Sequence, residues 1–260
     1  MWPQFRISAI LVASIVAVAS ACAVEVPVTV VLLSGRNNHD WRTTTPVLVR
    51  IIEGAGLAVR VEERVAEMTP ASLDGARVVV SNFNVFGQED PGPVWGPEMR
   101  RAFLEFIRRG GGFIGVHAGG SVFYDWPDFQ DLCGGWWGPQ TGHGTKHEAE
   151  VTLLTVDHPI TRGLSAFRTH DEFWQGTSLS PGAVTLAQVT PDPAYGGSGH
   201  PESILVVTTM EQGRGVGLLL GHDAEAMQNP GFARLLVRSV TWAATGRTHS
   251  ATSTNETTPP

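Results

Sequence analysis

The sequence is poor in cysteine. Among its 260 residues only Cys22 and Cys133 carry a thiol, and removal of an N-terminal leader would leave Cys133 alone. No intrachain disulfide is then possible, so the stability of the protein has to come from its hydrophobic core. Cys133 follows an apolar stretch, and a single buried thiol behaves as a small hydrophobic side chain. The sequence therefore favours a packing role for Cys133 over a nucleophilic one.

Clusters of positive charge are also missing. The formal net charge is −7, and no run of lysine or arginine interrupts the chain. Binding to a phosphate backbone depends on clustered cations. We therefore expect no nucleic-acid partner.

The sequence has one long apolar run, near the N-terminus, and we expect no membrane span. Residues 7–19 are small or apolar, but this run is too short to cross a bilayer comfortably. Arg6 precedes the run, and residues 19–23 contain two small-x-small patterns. This arrangement is typical of a cleaved secretory signal. We therefore expect residues 1–23 to be removed and the protein to be exported to the periplasm or outside the cell.

A lipid anchor is the alternative reading of the same leader. Cys22 follows small residues and could carry the lipid. Such signals usually have leucine three residues before the cysteine, and Ala19 stands there instead. Simple cleavage is therefore favoured.

The rest of the chain has the pattern of one α/β domain. Residues 26–33 form a continuous β-branched, apolar run, which is typical of a central parallel strand buried on both faces. Residues 98–109 carry apolar side chains at helical spacing, and Gly110 ends that helix. Further strands are predicted at 58–62, 77–81, 111–116, 148–156, 183–189, 204–210 and 215–220, and further helices at 45–54 and 230–244.

Strands that alternate with helices predict a flavodoxin-like α/β fold. We expect a doubly wound, mostly parallel sheet with an antiparallel extension in the second half. The domain is assigned to residues 24–245. Residues 119–145 are predicted to be a long loop region, and the polar residues 246–260 a disordered tail.

Polar side chains follow several of the predicted strands. In open α/β sheets, ligands bind outside the carboxyl ends of the strands. The segments at these ends contain His39, Asn82, Asn84, His117 and His222. We therefore expect these side chains to lie near one edge of the sheet.

Residues 115–119 (GVHAG) resemble the nucleophile elbow of class I glutamine amidotransferases, in which the central residue is cysteine. Here the central residue is His117, and an imidazole cannot do the work of a thiolate. Cysteine-dependent amidotransfer is therefore excluded at this position. A histidine there can act as a general acid or base or as a metal ligand, and the alternative is a ring that only hydrogen-bonds a neighbouring loop.

An ordered set of motifs makes the resemblance more specific. The chain resembles the trehalose-utilisation (ThuA-like) family of the class I glutamine amidotransferase-like superfamily over residues 27–244. This resemblance implies a glutamine amidotransferase-like fold and a role in the use of trehalose and other disaccharides through oxidised keto sugars. The motifs that carry it are residues 110–117, Gly142-His143, His147, residues 157–161, Gly163-Leu164, Asp171-Glu172 and Gly221-His222.

Histidines and carboxylates form the candidate catalytic and metal-binding site. Several histidines with a carboxylate could bind Zn²⁺ or another divalent ion, and the alternative is a hydrogen-bonded polar pocket without an ion. The candidate catalytic residues are His117, Glu172, His222 and His143, and the candidate metal ligands are His117, His143 and His222.

Aromatic and polar side chains form the candidate substrate site. Several tryptophans fall in predicted loops, and an indole offers a flat apolar face that suits the C–H face of a sugar ring. The candidate substrate-binding residues are His39, Asn82, Asn84, Trp126, Trp137, His147, Asp171 and Trp174.

Two functions stay open at this point. The first is an exported enzyme that performs hydrolysis or elimination on a disaccharide or keto-glycoside by histidine and carboxylate acid–base chemistry. The second is a non-catalytic sugar-binding module on a degenerate amidotransferase-like fold. The many ionisable residues favour the enzyme, because a pure binding site needs few titratable groups.

Overall fold

The computed structural model describes residues 29–87, 94–154 and 157–247. The predicted signal peptide, Cys22 and the predicted tail beyond residue 247 lie outside these residues. No helix in the described part of the chain is long and apolar enough to span a membrane.

The described residues alternate strands with helices along the chain. The helices are α1 (Trp41–Gly54), α2 (Pro97–Arg108), α3 (Pro127–Cys133), α4 (Ala224–Met227) and α5 (Pro230–Thr245). The strands are β1 (Thr29–Leu33), β2 (Ala58–Glu62), β3 (Val78–Ser81), β4 (Gly112–Val116), β5 (Gly135–Trp136), β6 (Gly142–His143), β7 (His147–Leu153), β8 (Phe167–Asp171), β9 (Trp174–Gln175), β10 (Ser178–Leu179), β11 (Val184–Val189), β12 (Glu202–Met210) and β13 (Gly213–Leu218).

One large sheet organises the fold, in the order β2-β1-β3-β4-β13-β12-β11-β7-β8. The first five strands are parallel, and the last four extend the sheet with antiparallel pairings. The parallel half has the 2-1-3-4-5 order of flavodoxin-like proteins, with β13 as its fifth strand. The predicted flavodoxin-like α/β fold with an antiparallel extension is therefore confirmed.

Helices cover both faces of the parallel half. In β1, Val30 and Leu32 pack into the core that contains the apolar side chains of α1 and α5. Val31 and Leu33 point the other way, into the core beneath α2 and α3. Alternate side chains of a strand face opposite sides of the sheet, so a continuous apolar run is what two covered faces require.

Two helices differ from the sequence prediction: one starts earlier than predicted, and the other lies in a region predicted to be loop. Helix α1 begins at Trp41, one turn before the predicted start, and Pro46 lies inside it. The region predicted as loop contains α3, which opens with Pro127 and ends at Gly134 in a left-handed conformation with φ 75°. Proline in the first turn and glycine after the last are ordinary helix signals, but seven residues give too little periodicity for a helix to be recognised.

Strand β8 was missed altogether. It pairs antiparallel with β7 at the edge of the sheet, and its residues alternate between exposed and buried. Its sequence, FRTHD, is mostly polar because one face of the strand meets solvent. This strand ends at Asp171, immediately before Glu172, so it determines where the candidate carboxylate lies.

Candidate functional site

His117 lies in a strained turn at the carboxyl end of β4. Its φ is +47°, one of two positive values among the described non-glycine residues. The chain then folds into a short 3₁₀ turn over residues His117–Gly120. A Cβ atom at Gly119 would collide with the carbonyl oxygen of Ser81, and one at Gly115 would lie 2.8 Å from the backbone nitrogen of Gly120. The predicted elbow geometry is therefore confirmed, and its two glycines are sterically required.

A cavity of about 350 Å³ opens at the carboxyl edge of the parallel strands. Polar and aromatic side chains from several loops share its wall. The lining residues are Asn38, His39, Phe86, Ala118, Ser121, Trp137, His143, Glu172, Trp174 and His222. Segments far apart in sequence therefore meet at one place, as the strand-end argument predicted.

Glu172 is the centre of the polar part of this cavity. Its Oε1 atom lies 3.4 Å from Nε2 of His117, and its Oε2 atom lies 3.4 Å from Nδ1 of His222. Oε2 also lies 3.1 Å from Nδ1 of His143. The carboxylate is largely buried, with a residue exposure of 7%. The four predicted catalytic side chains therefore do converge.

The charges of this group depend on one another. Burial alone disfavours the ionised form of Glu172, but its interactions with His117 and His222 outweigh burial and hold the pKa of this carboxyl well below its usual range. The nearby carboxylate of Glu172 raises the pKa of His222. Burial, and then the neighbouring His117 and His222, lower the pKa of His39 to about 3, so this ring is neutral.

His39, predicted to bind substrate, lies at the centre of the group, against the rings of His117 and His222. Its ring centroid lies 4.8 Å from that of His117 and 4.6 Å from that of His222. Its Nδ1 atom lies 3.0 Å from Oδ1 of Asn37, which also accepts the backbone N–H of His39. The loop after β1 thus holds the ring in one orientation.

The predicted role of Asn82 and Asn84 in substrate binding is wrong. Asn82 is buried and donates to the hydroxyl oxygens of Thr44 and Thr45 in α1. Asn84 is also buried and donates to Oδ1 of Asn37 at 2.7 Å. The Asn82 side chain thus ties the end of β3 to α1, whereas the Asn84 side chain positions the loop that carries His39, and neither residue lines the cavity.

Asp171 also positions other groups and does not contact the cavity. Its side chain is fully buried. Oδ1 accepts the backbone N–H groups of Glu172 and His222, and Oδ2 accepts that of Gly221. The substrate-binding assignment for Asp171 is therefore wrong, because all of these contacts are to backbone.

His147 is a structural histidine, and its assignment to the substrate site is wrong. Its Nδ1 atom donates to the carbonyl oxygen of Thr145, and Nε2 accepts the backbone N–H of Asp192. The ring stacks on Tyr195 at a centroid distance of 4.8 Å. Both nitrogens are occupied, so His147 anchors the loop around residue 193 to the sheet.

The three predicted tryptophans divide between the cavity and the core. Trp137 and Trp174 line the cavity, with ring centroids 5.2 Å apart at an angle of 89°. Trp126 is buried and packs against Phe129 and Trp95. The prediction for Trp126 is therefore wrong, because this indole completes the core beneath α2 and α3.

The set of potential metal ligands differs from the predicted one. The side chains of His39, His117, Glu172 and His222 each offer a ligand atom, and these atoms lie within 4.8 Å of one another. His143 is outside this group. Its Nδ1 atom lies 2.7 Å from the carbonyl oxygen of Gly144, and its side chain is 43% exposed.

Four lining residues were not identified from the sequence. Asn38 is next to His39 in the loop after β1, and Ala118 is next to His117 in the elbow. Their sequence positions were therefore sufficient to predict that they line the cavity. Phe86 and Ser121 give no such signal. Ser121 enters the wall because its hydroxyl accepts the backbone N–H of Trp137, a contact that only the fold creates.

Cys133 lies away from the cavity, in the core. It has no exposed surface, and burial raises the pKa of its thiol to about 12. A thiol that stays protonated at neutral pH is a poor nucleophile. The structure thus agrees with a packing role.

Comparison with known proteins identifies relatives of this fold. Residues 28–243 match the family described as trehalose utilisation, ThuA, whereas a comparison with curated proteins finds no match. A ThuA-like protein of Parabacteroides merdae is 27% identical, with a TM-score of 0.75 over 86% of this chain and 92% of that one. A ThuA-like protein of Bacteroides uniformis is 17% identical, with a TM-score of 0.60 over 88% and 98%. PurLQS from Thermotoga maritima shares the fold at 14% identity, with a TM-score of 0.56 over 83% and 97%.

The family match covers most of the chain and includes every segment that forms the cavity. The family description associates such proteins with a carbohydrate-related role. The motif pattern agrees with the family match, and the fold is that of the ThuA-like protein of Parabacteroides merdae. The chain therefore belongs to the trehalose-utilisation (ThuA) family.

Proposed function

We propose that this protein is an enzyme that cleaves the glycosidic bond of a disaccharide, or of its keto derivative, by hydrolysis or elimination. One observation carries the proposal. His117, His143 and His222 surround the largely buried carboxylate of Glu172 at the wall of one cavity. Burying ionisable groups costs free energy, and a site that only held a sugar would have little use for them.

The apolar part of the cavity supports a sugar as the ligand. Trp137 is half-buried beside the ring of His143, 5.8 Å away by centroids, and Trp174 backs it from the core with 2% exposure. Flat aromatic surfaces suit the C–H faces of a pyranose, and the polar side chains opposite can bind hydroxyl groups.

A neighbouring groove supports a substrate with two rings. This groove, of about 620 Å³, shares Phe86 and Trp137 with the cavity and continues along Tyr124 and Trp136. A second sugar ring bound there would leave the glycosidic bond near the shared wall. A disaccharide therefore fits the combined shape better than a single sugar does.

His143 is the side chain best placed to exchange a proton with the substrate. Its Nδ1–H donates to the carbonyl oxygen of Gly144, which leaves Nε2 with a free lone pair. A ketone on the sugar acidifies the neighbouring C–H bond, so Nε2 of His143 can take that proton. A C=C bond then forms as the C–O bond to the glycosidic oxygen breaks, and the departing oxygen takes a proton back from the His143 imidazolium. The nearby carboxylate of Glu172 would stabilise the imidazolium that forms.

A sugar-binding module is the second candidate, and the aromatic lining is the observation that favours it. The test is to incubate the purified protein with trehalose, other disaccharides and their 3-keto derivatives, and to follow products by mass spectrometry. We expect turnover, and the substitution His143→Gln should reduce it about 10²- to 10⁴-fold. The matched control is His170→Gln, which changes an exposed histidine outside the cavity. Sugar binding without turnover would reject the enzyme and support the module.

We also propose that the protein is exported. The support is the leader pattern of residues 1–23, which lies outside the described residues. Mass spectrometry of the protein from its native cells should give a mature N-terminus near Ala23 or a lipid-modified Cys22. Recovery of the intact chain starting at Met1 would contradict export.

A further inference from the structure

We propose that His39, His117, Glu172 and His222 form a binding site for one divalent transition-metal ion, with zinc as the best match. The inference deepens the proposed function because it concerns the same cavity, and to that extent it rests on it. Metal binding can nevertheless be measured without any sugar.

The spacing of the side chains suits a single ion. Each of the four residues comes from a different segment, and their potential ligand atoms lie within 4.8 Å of one another. Nε2 of His117 and Nδ1 of His222 each lie 3.4 Å from an oxygen of Glu172. Two ligands bound tetrahedrally to zinc at about 2.0–2.1 Å are separated by about 3.4 Å. The two separations of 3.4 Å match that spacing, whereas wider pairs in the group, up to 4.8 Å, would move closer together around an ion.

Two of the nitrogen atoms lack a conventional partner. Nε2 of His117 and Nδ1 of His222 are buried and make no hydrogen bond within the described part of the chain. Their approach to the Glu172 carboxylate lacks hydrogen-bond geometry, although the distance is short. Buried nitrogen atoms normally have a partner. An ion between these atoms and the carboxylate would supply one, and His117 is 97% buried with its nitrogen aimed at that point.

The opposite ring nitrogens are held in the manner of metal-binding histidines. Nδ1 of His117 lies 3.1 Å from the carbonyl oxygen of Leu219, which can only accept, so Nδ1 carries the proton. Nδ1 of His39 lies 3.0 Å from Oδ1 of Asn37, whose orientation is fixed because its Nδ2 donates to the carbonyl oxygen of Asn82. In both rings the lone pair is then on Nε2. A metal-binding histidine typically donates its other N–H to a carbonyl or amide oxygen in this way.

The donor types indicate which ion fits. Three imidazoles and one carboxylate are nitrogen and oxygen ligands, a combination that suits zinc and other first-row transition metals better than magnesium or calcium. The site borders the cavity, but four protein ligands fill a tetrahedral zinc ion, so a substrate oxygen would bind the ion as a fifth ligand or in place of one of the four. His143 is left outside the ligand set, which keeps it available for proton transfer.

The proposal is tested by calorimetric titration of the chelator-treated, full-length protein with ZnCl₂, and by metal analysis after dialysis. We expect one zinc ion per chain. His117→Asn, Glu172→Gln and His39→Gln should each weaken zinc binding by more than the roughly 10- to 100-fold that is typical for loss of an outer partner of a metal site. His170→Gln, an exposed histidine on β8, is the matched control and should bind zinc as the parent does.

Circular dichroism is recorded for each variant, so that loss of folding is not mistaken for loss of a ligand. The visible absorption of the cobalt-loaded parent provides a second measurement of nitrogen ligation that does not depend on the variants. Failure of the parent to bind zinc or cobalt above the level of the Glu172→Gln protein would overturn the proposal. Zinc binding without sugar turnover would support the metal site and reject the enzyme. If the protein does not bind zinc and its metal-free form still turns over the sugar, the enzyme is supported and the metal site is rejected.

Discussion

Asp171 holds His222 in place through the backbone: Oδ1 of Asp171 accepts the N–H of His222 at 3.0 Å, fifty-one residues away in sequence. The same carboxylate accepts the N–H of Gly221 at 2.7 Å and that of Glu172 at 2.9 Å. Strand β8 and the turn after β13 are thereby joined through one buried side chain. The carboxylate of Glu172 and the ring of His222 meet because their backbones share this acceptor.

The first prediction concerns this acceptor. Asp171→Asn should lower the free energy of unfolding by about 2–3 kcal/mol, because an amide has one acceptor oxygen and its NH₂ group would face a buried backbone N–H. Denaturant unfolding measures the loss. Asp192→Asn is the matched control, since Asp192 is exposed and caps only a short turn. Equal stability of the two variants would show that Asp171 does not organise the site.

Much of the fold could be predicted from local patterns. The β-branched runs of β1 and β3 and the apolar face of α2 are strong signals. The predicted bounds of β3 and α2 differ from the observed ones by at most one residue, and β1 ends at Leu33 as predicted. Strand β8 was missed because it lies at the sheet edge, where one exposed face makes its sequence polar. The short α3 was missed because two turns cannot establish a period.

The sequence predicted correctly the side chains whose orientation follows from their position at a strand end. It did not predict those whose orientation depends on packing against distant segments. His117 was placed correctly because G-x-H-x-G at a strand end specifies a strained turn, although the side chain is buried in the group around Glu172 and not exposed. The same reasoning misplaced Asn84, whose side-chain amide donates a hydrogen bond to Oδ1 of Asn37, forty-seven residues away. His143 and His147 are close in sequence, yet only His143 faces the cavity, because the ring of His147 is enclosed by Tyr195 and Phe173. Such contacts depend on segments that no local pattern brings together.

The second prediction separates two tryptophans. Trp137→Ala should raise KM for the sugar about 3- to 10-fold, because an aromatic contact worth roughly 0.5–1.5 kcal/mol is lost from the cavity wall. Trp126→Ala should instead lower the free energy of unfolding by about 3–5 kcal/mol, because it opens a hole in the core. Steady-state kinetics and thermal unfolding of both variants distinguish these effects. The assignment fails if Trp126→Ala changes KM at unaltered stability.

The third prediction concerns the thiol of Cys133, examined in a Cys22→Ser background so that it is the one thiol present. Burial raises its pKa from 9.0 to about 12. The thiol should therefore resist alkylation of the native protein at neutral pH and react once the protein is unfolded. The unfolded thiol ionises above pH 9 while the folded one does not, so stability should fall as pH rises from 9 towards 12.

Cys133→Ser is the companion variant, and it should retain turnover close to that of the parent. The pH-dependent loss of stability attributed to the thiol should be absent from it. Rapid alkylation of the folded parent, or a large loss of turnover in a folded Cys133→Ser protein, would restore the nucleophile hypothesis for this residue.

The fourth prediction tests whether the strained turn at His117 serves chemistry. The positive φ of +47° is unfavourable for most residues, but asparagine adopts this region more readily than other non-glycine residues do. His117→Asn should therefore change the unfolding midpoint by only a few degrees, about 2–4 °C per kcal/mol for a domain of this size. Turnover should nevertheless fall about 10²- to 10⁴-fold, because the imidazole that faces Glu172 is gone. His117→Val should lose turnover equally and should also be less stable, because a β-branched side chain opposes this backbone conformation. Parallel thermal melts and sugar assays make the comparison. A His117→Asn protein that keeps full turnover would mean that this turn is a feature of the fold and not part of the site.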